Sequence, residues 1–115
     1  MPSFEKSPAD LVARFEAVAP RFAGAQRRQM FGYTCLFVHG NLVTGLHEGS
    51  WMVRLPDDER RELLALPGAG PFEPMPGRPM KGYAVLPAAV VADDAQLEAW
   101  LRRAIAYGGS LPPKG

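Results

Sequence analysis

Thr34-Cys35-Leu36-Phe37-Val38-His39-Gly40-Asn41-Leu42-Val43-Thr44-Gly45-Leu46-His47 is the stretch whose reading decides the fold. Two apolar runs meet at Gly40-Asn41, a pair suited to the positive backbone angles of a tight turn, so the segment reads as a β-hairpin. That turn sets a register. His39 faces Leu42, Phe37 faces Thr44 and Cys35 faces Leu46 on one side, while Leu36, Val38, Val43, Gly45 and His47 occupy the other. Both sides are substantially apolar, unlike a sheet with one wet face. The ribbon needs cover on each side.

Working outward, Gln29 to Gly32 reads as a short strand before the hairpin, and Trp51-Met52-Val53-Arg54-Leu55 as a strand after it. Near the N-terminus Ser7 is placed to cap a helix that starts at Pro8, with Leu11, Phe15, Val18 and Phe22 at helical spacing. Pro20 lacks an amide donor, so this helix should end or kink near Val18 or Ala19. Pro56-Asp57-Asp58-Glu59 begins a second helix whose apolar face is Leu63, Leu64 and Leu66, before Pro67-Gly68 stops it. Phe72 to Met75 and Gly82 to Leu86 read as further strands around the turn Pro76-Gly77-Arg78-Pro79, with the prolines confining the first to an edge or an irregular course. Asp93 and Gln96 form a capping box for a last helix with Leu97, Trp100, Leu101 and Ala104 on one face, ended by Tyr107-Gly108-Gly109. The expected order is helix, three strands, helix, two strands, helix. This is an α+β two-layer sandwich on a mainly antiparallel five-stranded sheet.

The 115 residues suit a single domain spanning 1–115, able to bury about two-thirds of its unfolded surface. An apolar share of 47% and a charged share of 22% fit an ordinary globular chain and argue against extended disorder. Thirteen cations against twelve anions leave a net charge of +1, so nothing in the charge calls for a nucleic-acid partner. The lone cysteine, Cys35, lies in an apolar strand pattern and fits a reducing cytoplasm. No signal peptide is visible, and no run approaches the roughly 18 apolar residues of a membrane span.

The histidines, the cysteine, the carboxylates and the glycines are the residues that could carry chemistry. The expected register puts His39 and His47 on opposite faces, so they cannot converge on one metal ion. Cys35 and His39 share a face but stand four residues apart, about 13 Å along a strand, beyond the reach of a nucleophile and its base. Asp57-Asp58-Glu59 and Asp93-Asp94 fall at helix starts, where the macrodipole favours negative charge. Gly68-Ala69-Gly70 and Gly108-Gly109 lack the spacing and following lysine of a phosphate loop. No catalytic residue, metal site or cofactor is expected. The doublets Arg27-Arg28, Arg60-Arg61 and Arg102-Arg103 read as solvated faces with weak ion pairs.

The more specific surface reading joins Trp51, Arg54, Arg78 and Lys81 as a partner-binding patch. Arg54 alternates with core-type Val53 and Leu55, and the proline-restricted turn holds Arg78 and Lys81 with little loss of entropy. Beside it stands the plainer reading of an arginine on a wet strand end and a tryptophan half buried in the core. A rival is a small-molecule or catalytic cleft between the sheet and the loop from Gly68 to Lys81, in which Arg54, Arg78 or Lys81 would converge with Tyr83 or a carboxylate. An apolar ribbon with short helices on one side also suggests a two-fold homodimer.

Met30-Phe31-Gly32 leading into the hairpin, the strand from Trp51, the run Phe72-Glu73-Pro74-Met75-Pro76-Gly77-Arg78-Pro79-Met80-Lys81-Gly82-Tyr83 and the closing helix around Trp100 together resemble the TfoX N-terminal domain family. The resemblance extends from the first helix to Leu111-Pro112-Pro113-Lys114. It implies a fold similar to that of type III secretion chaperones and supplies no catalytic residue. Full-length members regulate natural competence with the cyclic-AMP receptor protein and carry a second, C-terminal domain. What the resemblance implies here is a single-domain member without that second domain, acting as a non-enzymatic protein-interaction module and an accessory in transcriptional control.

Overall fold

The computed structural model describes residues 5–114, so both ends of the expected 1–115 domain, including part of the N-terminal stretch read for a signal peptide, lie outside the described residues. The elements are α1 (Ala9–Val18) with a 3-10 turn at Ala19–Arg21, β1 (Gln26–Met30), β2 (Tyr33–Val38), β3 (Asn41–His47), β4 (Ser50–Arg54), α2 (Asp57–Leu64), β5 (Gly70–Pro71), β6 (Tyr83–Val85), α3 (Ala88–Ala92) and α4 (Asp94–Ser110). The strands form one antiparallel sheet in the order β1-β2-β3-β4-β6-β5, with the helices packed on one face. The α+β class and the antiparallel sheet agree with the sequence reading. Four strands precede α2 instead of three: β1 and β4 flank the central hairpin as five-residue strands, β4 being the strand read from Trp51 but left out of the expected order.

The hairpin turn lies one residue earlier than the sequence suggested. His39 and Gly40 carry the positive φ angles, 51° and 81°, and Val38 pairs with Asn41. Histidine tolerates the left-handed region better than most residues, and the C-terminal segment rewards this choice. Lys114 N–H donates to His39 O at 2.8 Å, while Asn41 Nδ2 donates to Pro112 O at 3.1 Å. The register then slips between Leu36 and Phe37, where Phe37 pairs with Leu42 but Leu36 pairs with Thr44. This bulge turns the second half of β3 over. Thr44 and Leu46 face the helices, whereas Gly45 and His47 join Cys35, Phe37 and Leu42 on the outer face, contrary to the expected pairs Phe37 with Thr44 and Cys35 with Leu46.

Between sheet and helices lies the main core, built on Phe15, Leu36, Val43, Trp51, Leu63 and Leu101. Burial of these apolar side chains is the chief stabilising term. Helix α1 stops at Val18, just before Pro20, as expected. Ser7 does not cap it: Pro8 is the N-cap, and the buried Ser7 hydroxyl has no hydrogen-bond partner among the described residues. Asp93 does cap α4, accepting from Gln96 N–H at 3.1 Å, but the helix runs through Gly108 and Gly109 to Ser110, and the short α3 before it was not foreseen. Gly108 lets α4 approach the sheet, since a Cβ there would stand 2.2 Å from Val43 Cγ1.

Both sheet edges are protected. β1 carries the polar run Gln26-Arg27-Arg28-Gln29, and β5 is two residues long and ends in a proline. The expected strand from Phe72 to Met75 is absent, because Pro74 and Pro76 remove ladder donors; pairing beyond Pro71 is limited to a bridge between Met75 and Arg78.

Candidate functional site

In place of that strand, residues 72–80 form a flap that folds back over the outer sheet face. Met80 N–H donates to Phe72 O at 2.7 Å, and Arg78 N–H donates to Met75 O at 2.9 Å. The latter closes a turn with Pro76 second and Gly77, at φ 77°, third, the placement a type II turn requires. Phe72 is buried beneath the flap with Cys35, Leu42, Met52 and Tyr83, forming a second, smaller apolar cluster. Its ring meets His47 edge-on at 5.6 Å and lies 6.3 Å from Tyr83. Thus both faces of the hairpin are covered, one by helices and the other by a loop.

The flap does not fill the space beneath it. A cavity of about 320 Å³ remains, lined by Cys35, Leu42 and Met52 below and by Phe72, Met75 and Met80 above. It opens beside Phe31, at the tip of the β1–β2 hairpin. This phenylalanine is 89% exposed and has φ 54°, with Gly32 at 83° completing the two-residue turn. Positive φ is unfavourable for a bulky side chain, with a cost on the order of 1–3 kcal/mol. Met75, at 58% exposure, lies across the mouth.

Trp51 cannot belong to a surface patch, being 2% exposed. Its register partner is Leu46, its ring packs 5.0 Å from Phe15, and Nε1–H donates to Thr44 Oγ1 at 2.9 Å. Here the plainer reading of a core tryptophan holds, and burial is more complete than it supposed. Arg54 sits on the outer face opposite Tyr83, with its guanidinium 5.6 Å from the Tyr83 ring and 6.0 Å from that of Tyr107. Arg78 and Lys81 are exposed, Arg78 on the flap and Lys81 just after it. None of these three cations lines the cavity, so the expected polar cleft of cations converging with Tyr83 does not form there. Burial raises the Tyr83 hydroxyl above its ordinary value, and that hydroxyl donates to Leu42 O at 3.1 Å.

Charge divides the molecule. Around the helical layer, Arg14 and Arg21 pair with Asp94, Arg21 also with Glu98, Arg27 with Glu16, Arg60 with Asp57, Arg102 with Glu98, and Arg103 with Glu59 and Glu62. Hydrogen bonds from arginine depress the Asp57, Asp94 and Glu98 carboxyls. By contrast Arg28, which stands opposite Cys35 on the outer face, Arg54, Arg78 and Lys81 make no ion pair among the described residues. The doublets are thus mostly self-neutralised, while Arg78 on the flap and Lys81 just after it count with the cations that make no ion pair among the described residues, as do Lys6, Arg61 and Lys114 elsewhere.

His39 lies in the turn itself, so its expected place on a strand face does not arise, while His47 stacks between Tyr33, at 5.0 Å, and Phe72. Among the described residues no three His, Cys, Asp or Glu side chains are grouped to hold a metal. Cys35 is 1% exposed, and burial pushes its thiol up to about 11, away from thiolate chemistry. The sequence reading missed Phe31 as a surface residue. Its signal was the pair Phe31-Gly32 between two strand-like runs, where a hairpin tip would expose it.

Comparison with known proteins gives one match: the family model for the TfoX N-terminal domain aligns with residues 16–107. No curated protein and no solved structure matches the chain. No helix among the described residues is long and apolar enough to cross a membrane.

Proposed function

Because the chain belongs to the TfoX N-terminal domain family, we propose that it is a non-enzymatic protein-interaction module, an accessory in transcriptional control, that engages its partner through the outer sheet face. The observation that carries this reading is Phe31, held 89% exposed on a strained turn. Natural proteins keep such strain where function needs it. Phe31 and Met75 offer an apolar anchor, and Arg28, Arg78 and Lys81 offer charges that make no ion pair among the described residues. Aromatic, methionine and arginine side chains are the types enriched at the centres of interfaces. The complementary partner is a protein segment with an apolar side chain flanked by carboxylates. In this reading Arg78 and Lys81 belong to the partner patch together with Phe31, which stands in place of the buried Trp51, and Arg54 stacks nearby on Tyr83.

The test is crosslinked affinity capture from the native cell, with Phe31→Ser and the pair Arg28→Ala/Arg78→Ala as folded comparisons. Loss of an anchor should weaken the specific contact by about 2 kcal/mol, roughly thirtyfold in affinity. Capture by both variants at the wild-type level would remove this face from consideration. A crosslinked second copy of the chain would identify the face as a homodimer interface.

A further inference from the structure

We infer that the cavity beneath the flap is a binding site for a small, uncharged, apolar molecule of about one or two rings. Four of the chain's five methionines, Met30, Met52, Met75 and Met80, line this one space. Methionine has three rotatable bonds and a polarisable sulfur, and it is favoured where a surface must adapt to varied apolar ligands. Close-packed interiors hold few voids larger than a water molecule, whereas this one measures about 320 Å³, at the small end of the range for ligand pockets.

The lining excludes the other occupants. Water in a cavity needs two to four polar partners. The Tyr33 hydroxyl is already committed to Glu5 O at 2.5 Å, and the Cys35 thiol to Tyr33 O at 3.7 Å. Among the side chains that line it, His47, which makes no hydrogen bond among the described residues, offers free nitrogen atoms, too few to satisfy an ordered water. Carboxylates and phosphates find no cation, since Arg54, Arg78 and Lys81 stand outside the lining. Dry apolar cavities of roughly half this volume take up benzene, so shape and dryness suffice for binding. The site shares its rim with the partner surface, since Phe31 and Met75 also line it, but its floor is Cys35 and Met52, packed so tightly over Gly45 that a Cβ there would lie 2.5 Å from the Cys35 sulfur.

The experiment uses the full chain with ¹³C-methyl methionine, titrated with indole and, separately, with benzoate, which is of similar size but charged. Indole should shift the Met52 and Met80 methyl resonances along one saturable curve with a midpoint at or below roughly 1 mM, the range open to a ligand of this size. Benzoate should leave them in place. Cys35→Leu, which extends the floor into the cavity, should weaken the indole response at least tenfold while the protein still melts cooperatively. Arg78→Ala, which disables the partner surface, should respond as the wild type does. Met52 methyl shifts that do not saturate, that benzoate reproduces, or that persist unchanged in folded Cys35→Leu protein would each overturn the assignment. If Cys35→Leu fails to fold, Leu42→Phe provides the same filling from the neighbouring strand and is read by the same criteria.

Discussion

Trp51 and Thr44 are joined by a buried hydrogen bond: the indole Nε1–H donates to Thr44 Oγ1 at 2.9 Å, and that hydroxyl donates onward to Met52 O at 2.7 Å. Thr44 is fully buried, so no water can replace it. Thr44→Val keeps the shape but leaves the indole donor unsatisfied, which should cost about 1–3 kcal/mol. Thr44→Ser, which retains the hydroxyl, should be the milder change in urea unfolding. If valine is tolerated as well as serine, the hydrogen bond does not set the position of Trp51.

The two glycines near the end of α4 should respond in opposite directions to alanine. In a helix interior, glycine to alanine ordinarily stabilises by about 1 kcal/mol. At Gly109 the nearest atom to an added Cβ is Val38 Cγ1 at 3.9 Å, ordinary contact, so Gly109→Ala should raise the melting temperature. At Gly108 the Cβ would stand 2.2 Å from Val43 Cγ1 in the core, and overpacking should cost about 1–3 kcal/mol, outweighing the propensity gain. Equal melting temperatures for the two variants would mean that α4 can lift from the sheet without cost.

Asp93 should matter more than its exposure suggests. Its carboxylate accepts from Gln96 N–H and from Gln96 Nε2, both at 3.1 Å, and hydrogen bonding to Gln96 holds the group below its ordinary range. A depressed carboxyl stabilises the fold above its unfolded value of 3.8, and that contribution is lost as pH falls through the lower native value. Asp93→Ala should therefore be the less stable protein at neutral pH, because the cap of α4 is lost. The gap to wild type should close as pH falls below 3.8; a gap constant with pH would assign the loss to something other than the carboxylate.

The faces of β2 were legible in the sequence, and half of β3 was not, for reasons that particular residues make plain. Alternation from Cys35 to Val38 assigns each side chain to its observed face, because nothing interrupts the pleat. Beyond Val43 the bulge inverts that alternation, and no local residue pattern announces an extra residue in the strand. The capping of α4 by Asp93 and the arrest of α1 before Pro20 were readable because both are local effects. The arginines were ambiguous for a similar reason: partners such as Asp94 for Arg21 or Glu62 for Arg103 become neighbours only in the folded chain. Trp51 was misplaced because strand alternation beside Arg54 does not reveal that helices cover one face and a flap the other.

Cys35 should leave a trace at alkaline pH. Below its ordinary value of 9.0 the thiol is neutral in both native and unfolded chains, and its full contribution to stability is present. As pH rises toward about 11, the unfolded chain loses the proton while the buried native thiol keeps it, so stability falls across that window. Tyr83, also raised by burial, adds a second loss that begins near 10.0. Cys35→Ala should therefore show a shallower decline in melting temperature between pH 9 and pH 11, with the tyrosine contribution left. Parallel curves for variant and wild type would show that the thiol ionises as easily in the fold as outside it.

Phe31→Asn should separate stability from function. The substitution places Asn-Gly at positions 31 and 32, the pair best suited to two consecutive positive φ angles in a two-residue hairpin. Asparagine relieves the strain of an aromatic at φ 54° and removes an exposed apolar ring, with no buried contact of comparable size to lose. The fold should gain about 1 kcal/mol, seen as a higher midpoint in urea with an unchanged slope. Partner capture should fall in the same variant, since residues kept against local stability are those on which recognition depends. A variant that is both more stable and equally competent in capture would show that Phe31 is not the anchor. A less stable one would mean that the ring, although exposed, supports the flap through Met75, and that the β1–β2 turn serves the cavity instead of the partner.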